Sequence, residues 1–303
     1  MNRALFSIFG LLLLLLSVPA AGAGTGAGET CGCDVPPARR AAYDAVLMAA
    51  DAVESATQHA PYGVAVAKAP SLPPIVLAQP HWLTGYDPVR RMPLWVAYRL
   101  SAADVAVKRK RTQCFRPDPR VPAAMGGTRC ASYRGDGMDR GHMVASADMT
   151  RSEQAMVNTY VFSNIAHQYP AFNRTLWRDL EIRVRAMARL RGEIYVMSGA
   201  VFDHDADGRP DAPATAPHPT KSGRPAAAVA SHFYKIVIVP QAGTGAPEVV
   251  AWLLRHENIK TTRAESKRRI AAQRVPLETV ERLSGLDIAP ALNGIRTAGV
   301  VSD

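Results

Sequence analysis

Four consecutive residues, Asp139-Arg140-Gly141-His142, carry the parts that phosphodiester chemistry needs. An imidazole takes a proton from water near neutral pH. A guanidinium presents a planar fork to a phosphate. A glycine between them lets the backbone come close or bend. Taken alone, the tetrapeptide also reads as a polar turn with incidental charges. Other groups of suitable chemistry stand nearby: Asn164, Asn173 and Glu181 downstream, and Arg111 upstream, four residues before Phe115.

These side chains need elements to aim them. Residues 175–190 read as a helix, because Leu176, Leu180, Val184 and Met187 fall at i, i+4, i+8 and i+11 on one apolar stripe. Gly192 suits its C-terminal stop. Asn173 stands at or just before the start and Glu181 eight residues on, within about 80° of each other around the axis. Both therefore face one side. Each also has a plainer account. Asn173 is an ordinary helix N-cap, Glu181 one more exposed carboxylate among Arg178, Arg183 and Arg185, and Asn164 a residue that satisfies backbone groups in a turn. Residues 94–100, 193–199, 232–239 and 248–254 read as strands. Residues 212–225 and 241–247, rich in Pro, Gly, Ala and Thr, read as loops. Residues 160–163 read as strand or loop, and 276–283 as the start of a helix.

The order of motifs resembles the DNA/RNA non-specific endonucleases, the ββα-metal nucleases with an Asp-Arg-Gly-His motif. The likeness rests on Arg111 with Phe115, on Tyr133-Arg134-Gly135, on the Asp139–His142 motif, on Phe162-Ser163-Asn164, and on the stretch from Phe172-Asn173 to Glu181. It runs from about Tyr86 to the segment 281–286, most of the chain. The resemblance implies an α+β fold, a central mostly antiparallel sheet flanked by helices, with a strand–strand–helix unit around one metal.

It also implies roles. His142 is the general base. Asn173 is the single direct protein ligand of one Mg2+, with Mn2+ as a substitute, and Glu181 acts on the metal through water. Arg140 and Arg111 contact the phosphate; Asp139 and Asn164 support them. Mg2+ keeps most of its waters and prefers oxygen donors, so so sparse a site is chemically sound. The expected products are 5′-phosphorylated oligonucleotides from single- and double-stranded DNA and RNA. Recognition through phosphates carries little base specificity. A basic binding protein for nucleic acid or cell wall, and a phosphodiesterase for small substrates, are the rival classes.

The formal charge of +10 over 303 residues fits a polyanionic partner. Met1-Asn2-Arg3 precedes an apolar run of roughly 15 residues ending in Ala20-Ala21-Gly22-Ala23, the pattern of a secretory signal. The run is shorter than the ~20 residues of a membrane span. The expectation is residues 1–23 as signal peptide, 24–80 as a partly ordered N-terminal extension with one helix over 37–58, and 81–303 as the nuclease domain. The product would be periplasmic or extracellular, with no membrane attachment after cleavage. Four cysteines in an exported chain read as disulfides. Cys114 and Cys130 are the expected pair, worth about 3 kcal/mol by loop entropy; cross-pairing with Cys31 and Cys33 stays open.

Asp203-His204-Asp205-Ala206-Asp207-Gly208-Arg209-Pro210-Asp211 has the acidic spacing of a calcium loop, with Gly208 at the sixth place. Ala214 stands where the bidentate Glu belongs, and a strand rather than a helix precedes it, so this is no EF-hand. Two readings remain, a structural Ca2+ held by Asp203, Asp205, Asp207 and Asp211, or an Asp-rich turn. The cluster Lys267-Arg268-Arg269 with Arg274 reads as solvated surface or a groove wall for DNA. His81, His167, His204, His218 and His256 read as incidental.

Overall fold

Side chains alternate across the strands and so divide the molecule into two cores, one on each face of a single sheet. The computed structural model describes residues 28–69, 74–219, 226–241 and 246–292. The expected signal peptide lies outside them. Helices α1 (Pro37–Ala49) and α2 (Ala52–His59) lead into strands β1 (Val66–Ala67), β2 (Ile75–Gln79), β3 (Trp82–Asp87) and β4 (Met92–Ser101). After α3 (Ala102–Ala106) come β5 (Asp139–His142), α4 (Glu153–Asn158), β6 (Ile165–Gln168) and α5 (Arg178–Arg191). Then follow β7 (Glu193–Val201), β8 (His232–Val239), β9 (Glu248–Arg255), α6 (Arg263–Ala272), β10 (Arg274–Val275), α7 (Leu277–Ser284) and β11 (Leu286–Asp287).

Seven strands form one antiparallel sheet in the order β10-β9-β8-β7-β4-β3-β2. β5 and β6 make a separate two-stranded ladder, and β1 pairs with β11. This is the α+β architecture with an antiparallel central sheet that the resemblance implies. On β4, Val96, Tyr98 and Leu100 face the core that holds Leu176, Leu180 and Val184 of the site helix. Trp95 and Ala97 face the opposite core with Val280 and Leu283 of α7. Leu180 and Val184 have no exposed surface, each worth about 1.5–3 kcal/mol of burial. They seat α5 on the sheet, and the β5–β6 ladder lies on the same side.

Several expectations change. The single helix over 37–58 is two, broken at Ala50, with Asp51 accepting from the Glu54 amide to start the second. The boundary after residue 80 runs through a hairpin, because β2 pairs with β3 along its whole length. The expected Cys114–Cys130 bridge does not form. The bridges are Cys31–Cys130 and Cys33–Cys114. Sequence proximity misled here, because residues 31–34 lie alongside 113–115: the Cys31 amide donates to Phe115 O, and the Phe115 amide to Gly32 O. The N-terminal segment is thereby stitched to the domain. Closing a loop of nearly 100 residues is worth about 4.7 kcal/mol by loop entropy, more than the short bridge expected.

Candidate active site

The antiparallel register of β5 on β6 sets Asp139 opposite Gln168, Arg140 opposite His167 and His142 opposite Ile165. Gly141 is required by close approach rather than by a bend. A Cβ there would fall 2.1 Å from Gln168 Oε1, a clash relieved only by moving the buried Gln168 side chain. Asn164 is fully buried. Its Oδ1 accepts from the Val144 amide at 2.9 Å, while Nδ2 donates to Val144 O and Thr159 O. It pins the chain just beyond His142 and does not line the cleft described below, so the plainer account of Asn164 is the one the structure supports.

Asn173 is not an N-cap. Its amide already donates to Tyr169 O, and residues Phe172–Trp177 form a π-helical turn running directly into α5. A π turn adds a residue to the helix and re-aims the side chains it carries, a device common at functional sites. Asn173 Nδ2 donates to Asp139 Oδ2 at 2.9 Å. Arg174 grips the same carboxylate with Nε and Nη2, at 2.8 and 2.6 Å.

His142, Asn173, Glu181, Arg111 and Arg140 line one cleft of about 510 Å³, together with Arg174, Arg178 and Arg185. His142 stands edge-on to the Tyr160 ring, centroids 4.6 Å apart, and against Phe115 at 5.7 Å. Its Nε2 is buried with no hydrogen-bond partner among the described residues. Burial, with the charges of Arg111 and Arg140, pushes its pKa down to about 3. The ring is therefore neutral throughout the physiological range. Trp177 Nε1 donates to His142 O at 3.3 Å, tying strand to helix. Arg140 lies over the Phe115 ring at 4.0 Å and donates to Cys31 O at 2.9 Å. Arg111 Nε donates to Tyr160 OH at 2.5 Å.

Behind the cleft lies a charged layer that sequence reading missed. Glu181 is flanked by Lys235, Asp148 and Arg185. Burial raises its carboxyl pKa, against the pull of Lys235. Lys235 is wholly buried on β8, donates to Ser198 Oγ at 2.5 Å, and lies 4.5 Å from the Trp177 ring. Asp148, also buried, accepts from Tyr98 OH and Arg185 Nη1, both at 2.7 Å. The signals were present: a lysine in an otherwise apolar core strand, and an arginine four residues after Glu181 on the same helical face. His167 is not incidental either. It is fully buried, with Nδ1 2.8 Å from Ala227 O and Nε2 2.8 Å from Asp136 Oδ2.

Asp203, Asp205 and Asp207 also come together, well apart in sequence from these residues. Asp211 is not among them; its Oδ2 accepts from the His204 amide at 3.0 Å.

The profile of one family, described as DNA/RNA non-specific endonuclease, matches residues 70–294. The chain belongs to that family. It is 35% identical over 208 residues to human "Endonuclease G, mitochondrial", covering 68% of this chain and 66% of that one. To "Nuclease 1, mitochondrial" of Schizosaccharomyces pombe it is 29% identical over 212 residues, 68% of this chain and 63% of the other. To "Nuclease C1" of Cunninghamella echinulata it is 31% identical over 217 residues, 69% of this chain and 81% of the other. The chain thus spans just under two thirds of the first of these family relatives. The expected periplasmic or extracellular location is corrected by the same comparison. The human and Schizosaccharomyces relatives are mitochondrial proteins by name, which stands against an exported location. The apolar N-terminal run that suggested export lies outside the described residues, and no helix among those described is long and apolar enough to cross a membrane.

Proposed function

We propose that this chain is a divalent-cation-dependent endonuclease that hydrolyses phosphodiester bonds in DNA and RNA without base specificity. One observation carries the reading: a neutral histidine, an amide oxygen and a carboxylate line the same cleft as a group of arginines. The donor set fits a hard cation. The amide nitrogen of Asn173 is committed to Asp139, which leaves Oδ1 as its free donor, and the Glu181 carboxylate lines the same cleft. Oxygen donors of this kind suit Mg2+. Asn173 would hold the cation directly and Glu181 through a water. A bound cation would neutralise charge on the phosphoryl oxygens and on the leaving oxygen.

The protein's own groups do the rest. With Nε2 of His142 buried and the residue lining the cleft, Nδ1 is assigned as the nitrogen that takes a proton from the attacking water. The water oxygen bonds to phosphorus as the bond to the 3′ oxygen breaks. That oxygen leaves as a 3′ hydroxyl, protonated from solvent, and the phosphate stays on the 5′ side. Arg111 and Arg140 are held by an aromatic hydroxyl and a backbone carbonyl rather than by carboxylates. Their charge therefore remains for the phosphate, where it stabilises the growing negative charge. Arg174 and Arg178, more than half exposed, extend the positive rim along the flanking backbone.

The test is digestion of plasmid and of RNA by the full chain with Mg2+ and with EDTA, beside His142→Ala, and with small phosphodiesters for comparison. Cutting of both polymers, lost in EDTA and lowered by orders of magnitude in the variant, is expected. Binding without cutting, or turnover confined to small diesters, overturns the proposal.

A further inference from the structure

Asp203 stands two residues beyond the end of strand β7 and is more than nine-tenths buried. Its carboxylate nonetheless has no hydrogen-bond partner for Oδ1. A buried carboxylate left so is costly, and what stands beside it makes the arrangement worse. One oxygen each from Asp203, Asp205 and Asp207 lie within 4.8 Å of one another. Among the described residues none of the three is paired with a lysine or arginine. Three negative charges converging on one point, one of them buried, repel unless a cation sits between them.

We propose that Asp203, Asp205 and Asp207 hold a structural Ca2+, at a site separate from the catalytic cleft. An ion with oxygen ligands at about 2.3–2.6 Å spans the separation of these oxygens. The turn is already shaped for it. Ala206 and Gly208 both take left-handed φ, +59° and +81°. Asp205 Oδ1 accepts from the Asp207 amide and Asp207 Oδ1 from the Arg209 amide. The loop is closed from outside by Arg282, whose Nη1 donates to Gly208 O, and at its end by Arg90, which donates to Asp211 O at 2.6 Å.

The ion's effect would reach the β5–β6 ladder. Asp203 N donates to Ser231 Oγ, and the His204 ring reaches Val229 O at 3.0 Å. The segment 226–231 so anchored carries Ala227 O, the partner of His167 on β6, which lies opposite Arg140. Ca2+ therefore fastens the outer support of the ladder and takes no part in the chemistry.

The experiment titrates Ca2+ alone into the full chain carrying Asn173→Ala, which removes the catalytic ligand, by calorimetry and by Tm. One Ca2+ per chain is expected, half-saturating on the order of 0.1–1 mM, the range of sites with few carboxylates, with Tm rising alongside. Adding Asp205→Asn and Asp207→Asn should abolish both signals. Both positions are exposed and asparagine keeps the oxygens that close the turn, so the fold survives; Asp207→Asn alone serves as the milder variant. No uptake in the Asn173→Ala chain, or uptake that the loop substitutions leave unchanged, overturns the site.

Discussion

Asn173 Nδ2 donates to Asp139 Oδ2 at 2.9 Å, and that bond decides which atom of the amide remains for a cation. A carboxylate accepts only, so it draws the nitrogen and leaves the oxygen free. Arg174 holds the carboxylate by two further bonds, which fixes its plane. Asp139 is thus a positioning residue within the motif rather than a reacting one.

Asp139→Asn should therefore act through the cation. An asparagine can turn its own NH2 toward Asn173 and so reverse the amide. The expected outcome is a Mg2+ requirement raised 10–100-fold, as is common for partners of a metal ligand, with cutting restored in part by excess Mg2+. Rates measured against Mg2+ concentration check this. A fall in rate that no Mg2+ concentration relieves would place Asp139 in another role.

His142 sets a different expectation, one of pH. Its pKa is pushed down to about 3 by burial and by Arg111 and Arg140, so the neutral base persists well below the usual histidine range. No loss of kcat/KM from His142 protonation is expected between pH 7 and 5. Arg111→Gln removes one of the two charges and should move the acid limb upward, toward the ordinary value near 6.5. A wild-type profile whose acid limb already falls near 6.5 would contradict this.

How legible was the site beforehand? Strand and helix periodicity found α5 and the core strands, because their burial repeats in sequence. Motif order found Arg111, Arg140, His142, Asn173 and Glu181, which now line one cleft. What escaped depends on contacts between distant segments. The π turn at Asn173 leaves no period to read, since it breaks the helical one. The bridges follow from residues 31–34 lying beside 113–115, a pairing no spacing reveals. Lys235 looked like any strand residue until α5 was laid over it.

Four histidines with lowered pKa predict how stability depends on pH. His142 is lowered to about 3, and His59, His81 and His256 to about 4, in each case chiefly by burial. Unfolded, they titrate near 6.5. Between those values the unfolded chain binds more protons than the folded one, so unfolding free energy rises with pH across this window. Tm should fall steadily as pH drops from about 6.5 to 4. A flat Tm over that range would show that these rings are not held neutral.

The two bridges should differ in weight. Cys31–Cys130 and Cys33–Cys114 span 99 and 81 residues, but they are not independent. With the first intact, the second closes only a short additional ring, and is worth about 3 kcal/mol rather than its full loop value. Cys33→Ser with Cys114→Ser should cost about that much in denaturant unfolding, and removing both bridges considerably more. Cys31 O also holds Arg140. Cys31→Ser with Cys130→Ser is therefore expected to raise KM for nucleic acid as well, and a change in stability alone would separate the bridge from the cleft.

Lys235 offers the sharpest test of the layer beneath the cleft. It is the buried cation beside Glu181 and Asp148. Lys235→Met keeps the apolar stem over Trp177 but leaves two carboxylates with Arg185, and for Glu181 also Arg111, to oppose them. Breaking a buried ionic cluster in this way costs about 3–5 kcal/mol. Adding Glu181→Gln removes one stranded charge and should recover part of that loss, so the two substitutions are non-additive. Urea unfolding of the two single variants and the double variant measures the coupling. Simple additivity would mean that Lys235 and Glu181 do not sense each other, and that Glu181 owes its setting to Arg185 and Arg111 instead.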